Sequence, residues 1–238
     1  MDRPVDKRES RVREMFSSIS PHYDFLNHLL SLNVDHWWRW LTTHLVPVQG
    51  DAPVLDVCTG TGDLALAYWR QSKGRVPVVA SDFCHEMMVI GQKKVRRAGA
   101  ARFVRFIEAD AQLLPFPDDY FQIVCVAFGL RNVTNTERGL REMVRVTRPG
   151  GKVAILEFSM PRNRLFRSVY STYFRHVLPL IGQTLARNKS GAYNYLPASV
   201  LEFPDGEAMT GVMLRAGLAS AEWHPLTFGV ASLYVGTK

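Results

Sequence analysis

Val54-Leu55-Asp56-Val57 runs straight into Cys58-Thr59-Gly60-Thr61-Gly62-Asp63, and this junction constrains the fold more than any other stretch. The apolar run reads as a buried strand, the Gly-x-Gly as a tight turn, and a helix follows from Leu64. Strand, glycine turn and helix in succession bring backbone N–H groups close to a small ligand, because no Cβ stands in the way. Asp56 adds a carboxylate at the strand end. That charge would repel a diphosphate and attract an ammonium or a sulfonium.

The rest of the chain sets this junction in a repeating rhythm. Beyond Pro53, strands are expected at Val54–Val57, Val76–Ser81, Phe103–Glu108, Ile123–Phe128 and Lys152–Phe158. Helices are expected at Leu64–Gln71, Glu86–Ala98 and Thr136–Val146, and Pro149-Gly150-Gly151 reads as a turn. Such alternation implies right-handed βαβ crossovers and a mainly parallel sheet. It stops after Phe158 for some 60 residues, the place for an insertion. Ala221–Leu226 and Ser232–Thr237 then read as a closing antiparallel pair. Before the core, residues 8–45 read as helices. Val12, Met15, Phe16 and Ile19 share one face, Pro21 interrupts, and apolar sets follow around Phe25–Leu30 and Trp37–Leu41.

In an open parallel sheet, ligands bind beyond the carboxyl ends of the strands. Three strand ends carry suitable groups. Gly60-Thr61-Gly62 offers backbone N–H groups, Asp82 can accept from a ribose diol, and Asp110-Ala111 can meet an adenine amino group and a ring nitrogen. Together with Asp56, these groups favour S-adenosylmethionine. The loop also fits the G-x-G-x-x-A dinucleotide pattern, with Asp82 twenty positions after Gly62. An NAD-dependent dehydrogenase therefore stays open as the remote alternative. Against it stand Asp56 and the expectation that the chain holds no Tyr-x-x-x-Lys pair to carry hydride chemistry.

Composition narrows the class. The 238 residues, 47% of them hydrophobic, suit one α/β domain with additions. The N-terminus is charged, no apolar run reaches membrane-spanning length, and Cys58, Cys84 and Cys125 show no metal-ligand or CxxC spacing. The expectation is a cytoplasmic protein with free thiols and no metal. A formal charge of +7 fits either a plainly basic protein or one with an anionic partner, nucleic acid or membrane. Nucleic-acid methylation is disfavoured, because the chain has no Asn/Asp-Pro-Pro-aromatic corner and no Pro-Cys.

With these strand ends placed, the chain resembles the class I S-adenosylmethionine-dependent methyltransferases. More narrowly, it resembles the demethylmenaquinone/ubiquinone C-methyltransferases of quinone biosynthesis. The marks are Met15–Asn27, Ala127-Phe128-Gly129-Leu130-Arg131-Asn132-Val133-Thr134, Leu156-Glu157-Phe158-Ser159-Met160-Pro161, Tyr193-Asn194-Tyr195-Leu196 and Glu202-Phe203-Pro204. The resemblance implies an α/β, Rossmann-like fold with a seven-stranded, mostly parallel sheet and an antiparallel last strand. The expected division is an N-terminal helical lid over 1–45 and a methyltransferase domain over 46–238, with an insertion at about 160–215. It also implies cofactor contacts at Thr61, Asp82, Asp110, Ala111 and Ala127, the last through its backbone.

The implied reaction methylates a ring carbon of a polyprenylated hydroquinone. The expected substrate is demethylmenaquinol, with 2-methoxy-6-polyprenyl-benzoquinol, another lipid or a small phenol as the alternative. Ring carbon is a poor nucleophile until a neighbouring phenol ionises, and a phenol titrates near 10. Arg131 is the candidate cation for a phenolate, Asn132 for a ring oxygen, and Tyr23 or His22 for a proton acceptor. The competing readings are an Arg131 bridge to Glu137 or Asp82, Tyr23 as plain core, and Asp24 as a helix cap. Phe166, Val169, Tyr170, Tyr173, Phe174, Val177, Leu178 and Ile181 follow helical spacing, with Arg164, Arg167, Arg175 and His176 between them. That stretch suits either an anionic membrane surface or ordinary packing. Trp37-Trp38-Arg39-Trp40 reads as packing. Peripheral membrane association is expected, and a homo-oligomer is left open.

Overall fold

The computed structural model describes residues 5–172 and 192–238. Seven strands form one sheet: β1 (Val54–Val57), β2 (Val78–Asp82), β3 (Val104–Glu108), β4 (Phe121–Ala127), β5 (Thr147–Phe158), β6 (Ser220–Leu226) and β7 (Ala231–Thr237). Their order is β3-β2-β1-β4-β5-β7-β6. Pairings from β3 to β5 are parallel, and β7 is antiparallel to both β5 and β6. The closing antiparallel pair and the reversed last strand stand as expected. The chain leaves β1 for β2 on one side and returns to β4 on the other, so the topological switch point falls at β1.

Period-two alternation sorts the apolar side chains onto two faces. Val54, Ile123, Cys125 and Ala154 face α4 (Asp63–Gln71), where Leu64, Ala65 and Tyr68 meet them. Leu55, Val57, Val124, Val126 and Ile155 face the other way, onto Leu140 and Met143 of α6 (Thr136–Val146). A fully buried side chain of this size contributes about 1.5–3 kcal/mol. The strands near β1 are covered on both faces, which is why they read as near-continuous apolar runs.

Element ends move by a residue or two from the expectation. β2 starts at Val78, because Pro77 lacks an N–H and only its carbonyl joins the ladder, accepting from Val54. β4 starts at Phe121, which pairs with Thr147 across a register shift before Ile123. The same shift absorbs Pro149-Gly150-Gly151 into an irregular start of β5. α5 (His85–Arg97) follows β2.

The N-terminal helices are α1 (Glu9–Ile19), α2 (Tyr23–Leu30) and α3 (Val34–Leu45), with a single 3-10 turn at Ser20–His22 where Pro21 interrupts. In α3, Trp38 is buried against Phe128 and Phe158 with ring centroids 5.8 and 6.1 Å away, and its Nε1 donates to Thr227 Oγ1 at 2.8 Å. Trp37 and Trp40 remain half exposed. After β5 come α7 (Arg164–Thr172), α8 (Ala192–Glu202) and α9 (Glu207–Arg215). α9 lies on the sheet, placing Met209 and Met213 in the same core as Met143. Most of the expected amphipathic stretch, including Tyr173, Phe174, Arg175, His176, Val177, Leu178 and Ile181, lies outside the described residues, as do the side chains of Phe166 and Val169.

Candidate active site

β1 ends in a turn whose geometry only certain residues tolerate. Gly62 has φ +83° and stands where the N-cap of α4 should be, so it has no side chain to hold the first-turn amides. Asp56 does that from the strand. Its Oδ2 accepts from Ala65 N at 3.0 Å and from Thr59 Oγ1 at 2.5 Å. The Asp56 carboxylate is thus turned into the loop it supports, and burial pushes its pKa up to about 7. Gly129 lets the chain leaving β4 pass close to this loop, since a Cβ there would come within 2.4 Å of Cys58 Cβ.

Asp82 closes β2. Its Oδ2 accepts from Gly60 N at 2.7 Å and its Oδ1 from Cys84 N at 2.8 Å. Burial raises its pKa to about 6 against these hydrogen bonds. Asp110 follows β3 and accepts from Gln112 N at 2.9 Å. Asp56, Gly60, Thr61, Asp82, Asp110, Ala111 and Ala127 all border one cleft, together with Tyr23 and Arg39. Gly62 shapes the turn beside it. The charge balance suits a cationic ligand: among the described residues, the wall holds four aspartates and Glu9 against one basic residue, Arg39.

A second, larger cavity adjoins the first. Its wall is mainly apolar, including Met15, Ile19, Trp38, Phe158 and Leu196. Phe16, Tyr23, Arg39, Phe128 and Asn132 border both cavities, so the two meet at these side chains. Tyr23 packs edge-on to Phe16 at 6.0 Å. Burial raises its phenol above the usual value, against the pull of Arg131 and Arg39, so at neutral pH Tyr23 is a hydrogen-bond donor. The side chain of His22 is outside the described residues.

Arg131 borders the apolar cavity and is buried. It makes a bridge, but with neither partner expected from the sequence. Its Nη1 meets Glu157 Oε2 at 2.8 Å and the Phe128 carbonyl at 2.5 Å, while Glu157 Oε1 accepts from its backbone N at 3.2 Å. Glu137 pairs instead with Arg141 at 3.6 Å. Arg131 Nε and Asn132 Oδ1 are buried and have no hydrogen-bond partner among the described residues. An unpaired buried donor and acceptor at one wall are what a ligand with a phenolic oxygen would satisfy.

Four residues were missed from the sequence. Glu157 is fully buried at the end of β5, and a carboxylate inside Ala154-Ile155-Leu156-Glu157-Phe158 was itself a signal that a cation must face it. Arg39, Asp63 and Lys94 also converge on the cleft region. Asp24 is bound to Thr61 Oγ1 at 2.6 Å and to Lys94 Nζ at 2.6 Å. The Tyr-x-x-x-Lys spacing does occur at Tyr234–Lys238. However, Tyr234 is buried with its hydroxyl on Gly206 N, Lys238 Nζ holds Asp119, and neither borders either cavity.

The sheet order, the reversed β7 and the glycine turn at the switch point define the class I methyltransferase fold. Among solved structures, a SAM-dependent methyltransferase from Aquifex aeolicus matches with TM-score 0.60 at 16% identity, over 83% of this chain and 88% of that one. Phosphoethanolamine N-methyltransferase 2 of Haemonchus contortus matches with TM-score 0.61 at 15% identity, over 85% and 52%. Within that class, the chain belongs to the ubiE/COQ5 methyltransferase family, whose pattern matches residues 5–238. It is 46% identical over 238 residues to the ubiquinone/menaquinone biosynthesis C-methyltransferase UbiE of Geobacter sulfurreducens, covering 100% of this chain and 92% of the relative. It is 43% identical over 239 residues to the demethylmenaquinone methyltransferase of Deinococcus radiodurans, covering 99% and 97%.

Proposed function

We propose that this enzyme transfers a methyl group from S-adenosylmethionine to a ring carbon of a polyprenylated hydroquinone, with demethylmenaquinol as the substrate and menaquinol as the product. The observation that carries this reading is the meeting of a carboxylate-lined cleft with a larger apolar cavity at Tyr23, Phe128 and Asn132. In a sulfonium donor, the methyl carbon is electrophilic. The cofactor would lie against the Gly60–Gly62 turn, whose Gly60 and Gly62 amides are spent on Asp82 and the Thr59 carbonyl, and would be held by the remaining lone pairs of Asp82 and by Asp110, Ala111 and the Ala127 backbone. Asp56 acts one step removed, by fixing the loop through Thr59 and Ala65.

The apolar cavity takes the ring and the start of the isoprenoid tail. Arg131, aimed by Glu157, stabilises the phenolate that makes the ring carbon nucleophilic, and its Nε, unpartnered among the described residues, is the donor available for that oxygen. The phenol gives its proton to solvent, and the ring hydrogen that the methyl group replaces restores the phenol afterwards. Asn132 and the Tyr23 hydroxyl orient the ring at the boundary between the cavities. The apolar walls exclude water, so a phenolate facing a sulfonium loses charge without competing solvation. Holding the two carbons within about 3–3.5 Å supplies much of the remaining acceleration.

A substrate with a long isoprenoid tail resides in a bilayer, while no helix among the described residues is long and apolar enough to cross one. The net charge of +7 supports a protein that works in the cytoplasm and visits an anionic membrane surface reversibly. The test is turnover with demethylmenaquinol and with 2-methoxy-6-polyprenyl-benzoquinol side by side. Methylation of the naphthoquinol with Arg131→Lys strongly impaired is the expected result. Failure on both quinols would overturn the reading.

A further inference from the structure

The N-terminal helices form one wall of the cofactor cleft, with Glu9, Val12 and Phe16 from α1, Tyr23 from α2 and Arg39 from α3. The opposite wall is the glycine turn, with Gly60 at φ +57° and Gly62 at φ +83°, a backbone conformation that favours glycine. One side chain from a third element ties the two walls together. Lys94, in the last turn of α5, places its Nζ 2.6 Å from Asp24 Oδ2 of α2, 2.8 Å from Asp63 Oδ1 at the start of α4, and 3.0 Å from Thr61 Oγ1. The Thr61 hydroxyl then donates to Asp24 Oδ1 at 2.6 Å, closing the ring of contacts. All three charged side chains are partly withdrawn from solvent, between 19% and 29% exposed, so the cluster is screened less than a surface pair.

Placement gives this cluster its meaning. Thr61 is the middle residue of Gly60-Thr61-Gly62, and Asp24 directly follows Tyr23, which borders both cavities. Whatever fixes Asp24 also fixes Tyr23 at the meeting point of cofactor and acceptor. A second tie, Ser17 Oγ donating to Glu86 Oε2 at 2.7 Å, joins α1 to the other end of α5, but it lies on the surface. Asp63 is held below the usual carboxylate range despite burial, because Arg39 and Lys94 face it, so it is ionised at neutral pH.

We infer that Lys94 is a positioning residue that locks the N-terminal helices against the glycine turn, so that closure of this wall and retention of the cofactor are one event. The inference rests on the cofactor reading given above. The cofactor enters and leaves only when Asp24 separates from Thr61 and Lys94. Tyr23 reaches its working position only when the cluster has re-formed.

The test is the dissociation rate of S-adenosylhomocysteine from the full-length protein, compared for wild type, Lys94→Met, Lys94→Arg and Asp24→Asn. Each variant is first shown to be folded by its far-ultraviolet circular dichroism and its melting transition. Lys94→Met and Asp24→Asn should each release the ligand roughly ten- to a hundred-fold faster, as loss of a coupled charge cluster requires. Lys94→Arg should recover much of the slow release, and the double variant should be no faster than either single one. KM for S-adenosylmethionine should rise with the release rate. Release within about twofold of wild type in Lys94→Met, with only the melting temperature lowered, would make the cluster a plain structural bridge and overturn the inference. A wild-type protein that does not hold S-adenosylhomocysteine at all would overturn the cofactor reading together with it.

Discussion

Glu157→Gln is the sharpest perturbation the structure offers. Glu157 is fully buried at the end of β5 and faces three donors: Arg131 Nη1 at 2.8 Å, Arg131 N at 3.2 Å and Phe158 N at 3.1 Å. Glutamine keeps the shape but loses the charge, and turns one acceptor into a donor facing donors. Arg131, itself buried, is left as an uncompensated cation. Removing one partner of a buried pair costs about 3–5 kcal/mol. In a protein of this size, that lowers the melting temperature by roughly 6–20 °C. The assay is thermal and urea unfolding of Glu157→Gln, Arg131→Met and the double variant, read as a cycle. Because the double variant removes both charges, the cycle should show a coupling of at least about 2 kcal/mol. Turnover of Glu157→Gln should fall while affinity for S-adenosylhomocysteine stays near normal, because Glu157 aims Arg131 and borders neither cavity. Additive losses, or a single variant within about 1 kcal/mol of the parent, would refute the pairing argument.

Asp56 has a native pKa near 7, against an ordinary value of 3.8, so its neutral form is favoured by the fold. Its contribution to stability is fully present below about pH 4 and is lost as pH rises through 7, on the order of 4 kcal/mol in all. Asp56→Asn should therefore flatten the stability profile between pH 5 and pH 8, measured by urea unfolding; an unchanged slope would contradict the burial argument. Asp82, raised to about 6, must ionise to accept fully from a ribose diol, so affinity for S-adenosylhomocysteine should decline as pH falls below 6, by calorimetry. Gly129→Ala would bring its new Cβ within 2.4 Å of Cys58 Cβ, and should lower both the melting temperature and cofactor affinity, by about 1–3 kcal/mol in stability.

The β architecture was legible because local signals agreed. Strand-length apolar runs, glycine turns and helical spacing between them left few topologies for residues 53–158, and Thr227-Phe228-Gly229 marked the closing pair. The strand-end acids were legible for the same reason, since their positions follow from where each strand stops. The orientation of Asp56 was not read: its charge was set toward the ligand, whereas the carboxylate turns into the loop to hold Ala65 N and Thr59 Oγ1. What could not be read was pairing across elements. Arg131 finds Glu157 from a neighbouring strand, 26 residues on, whereas sequence proximity pointed to Glu137. Asp24 looked like a helix cap because its partners, Thr61 and Lys94, lie 37 and 70 positions away. Such contacts are fixed by the packing of α2 against the glycine turn, which no periodicity encodes.

The most direct measurement uses S-adenosylmethionine carrying a ¹³C-methyl group, demethylmenaquinol in mixed detergent or vesicles, and NMR of the recovered lipid. The two adjoining cavities predict that the label appears as a methyl carbon bonded to the quinol ring, and that it is lost in Arg131→Lys. Label on a quinol oxygen, or an unlabelled lipid beside intact labelled cofactor, would contradict the account.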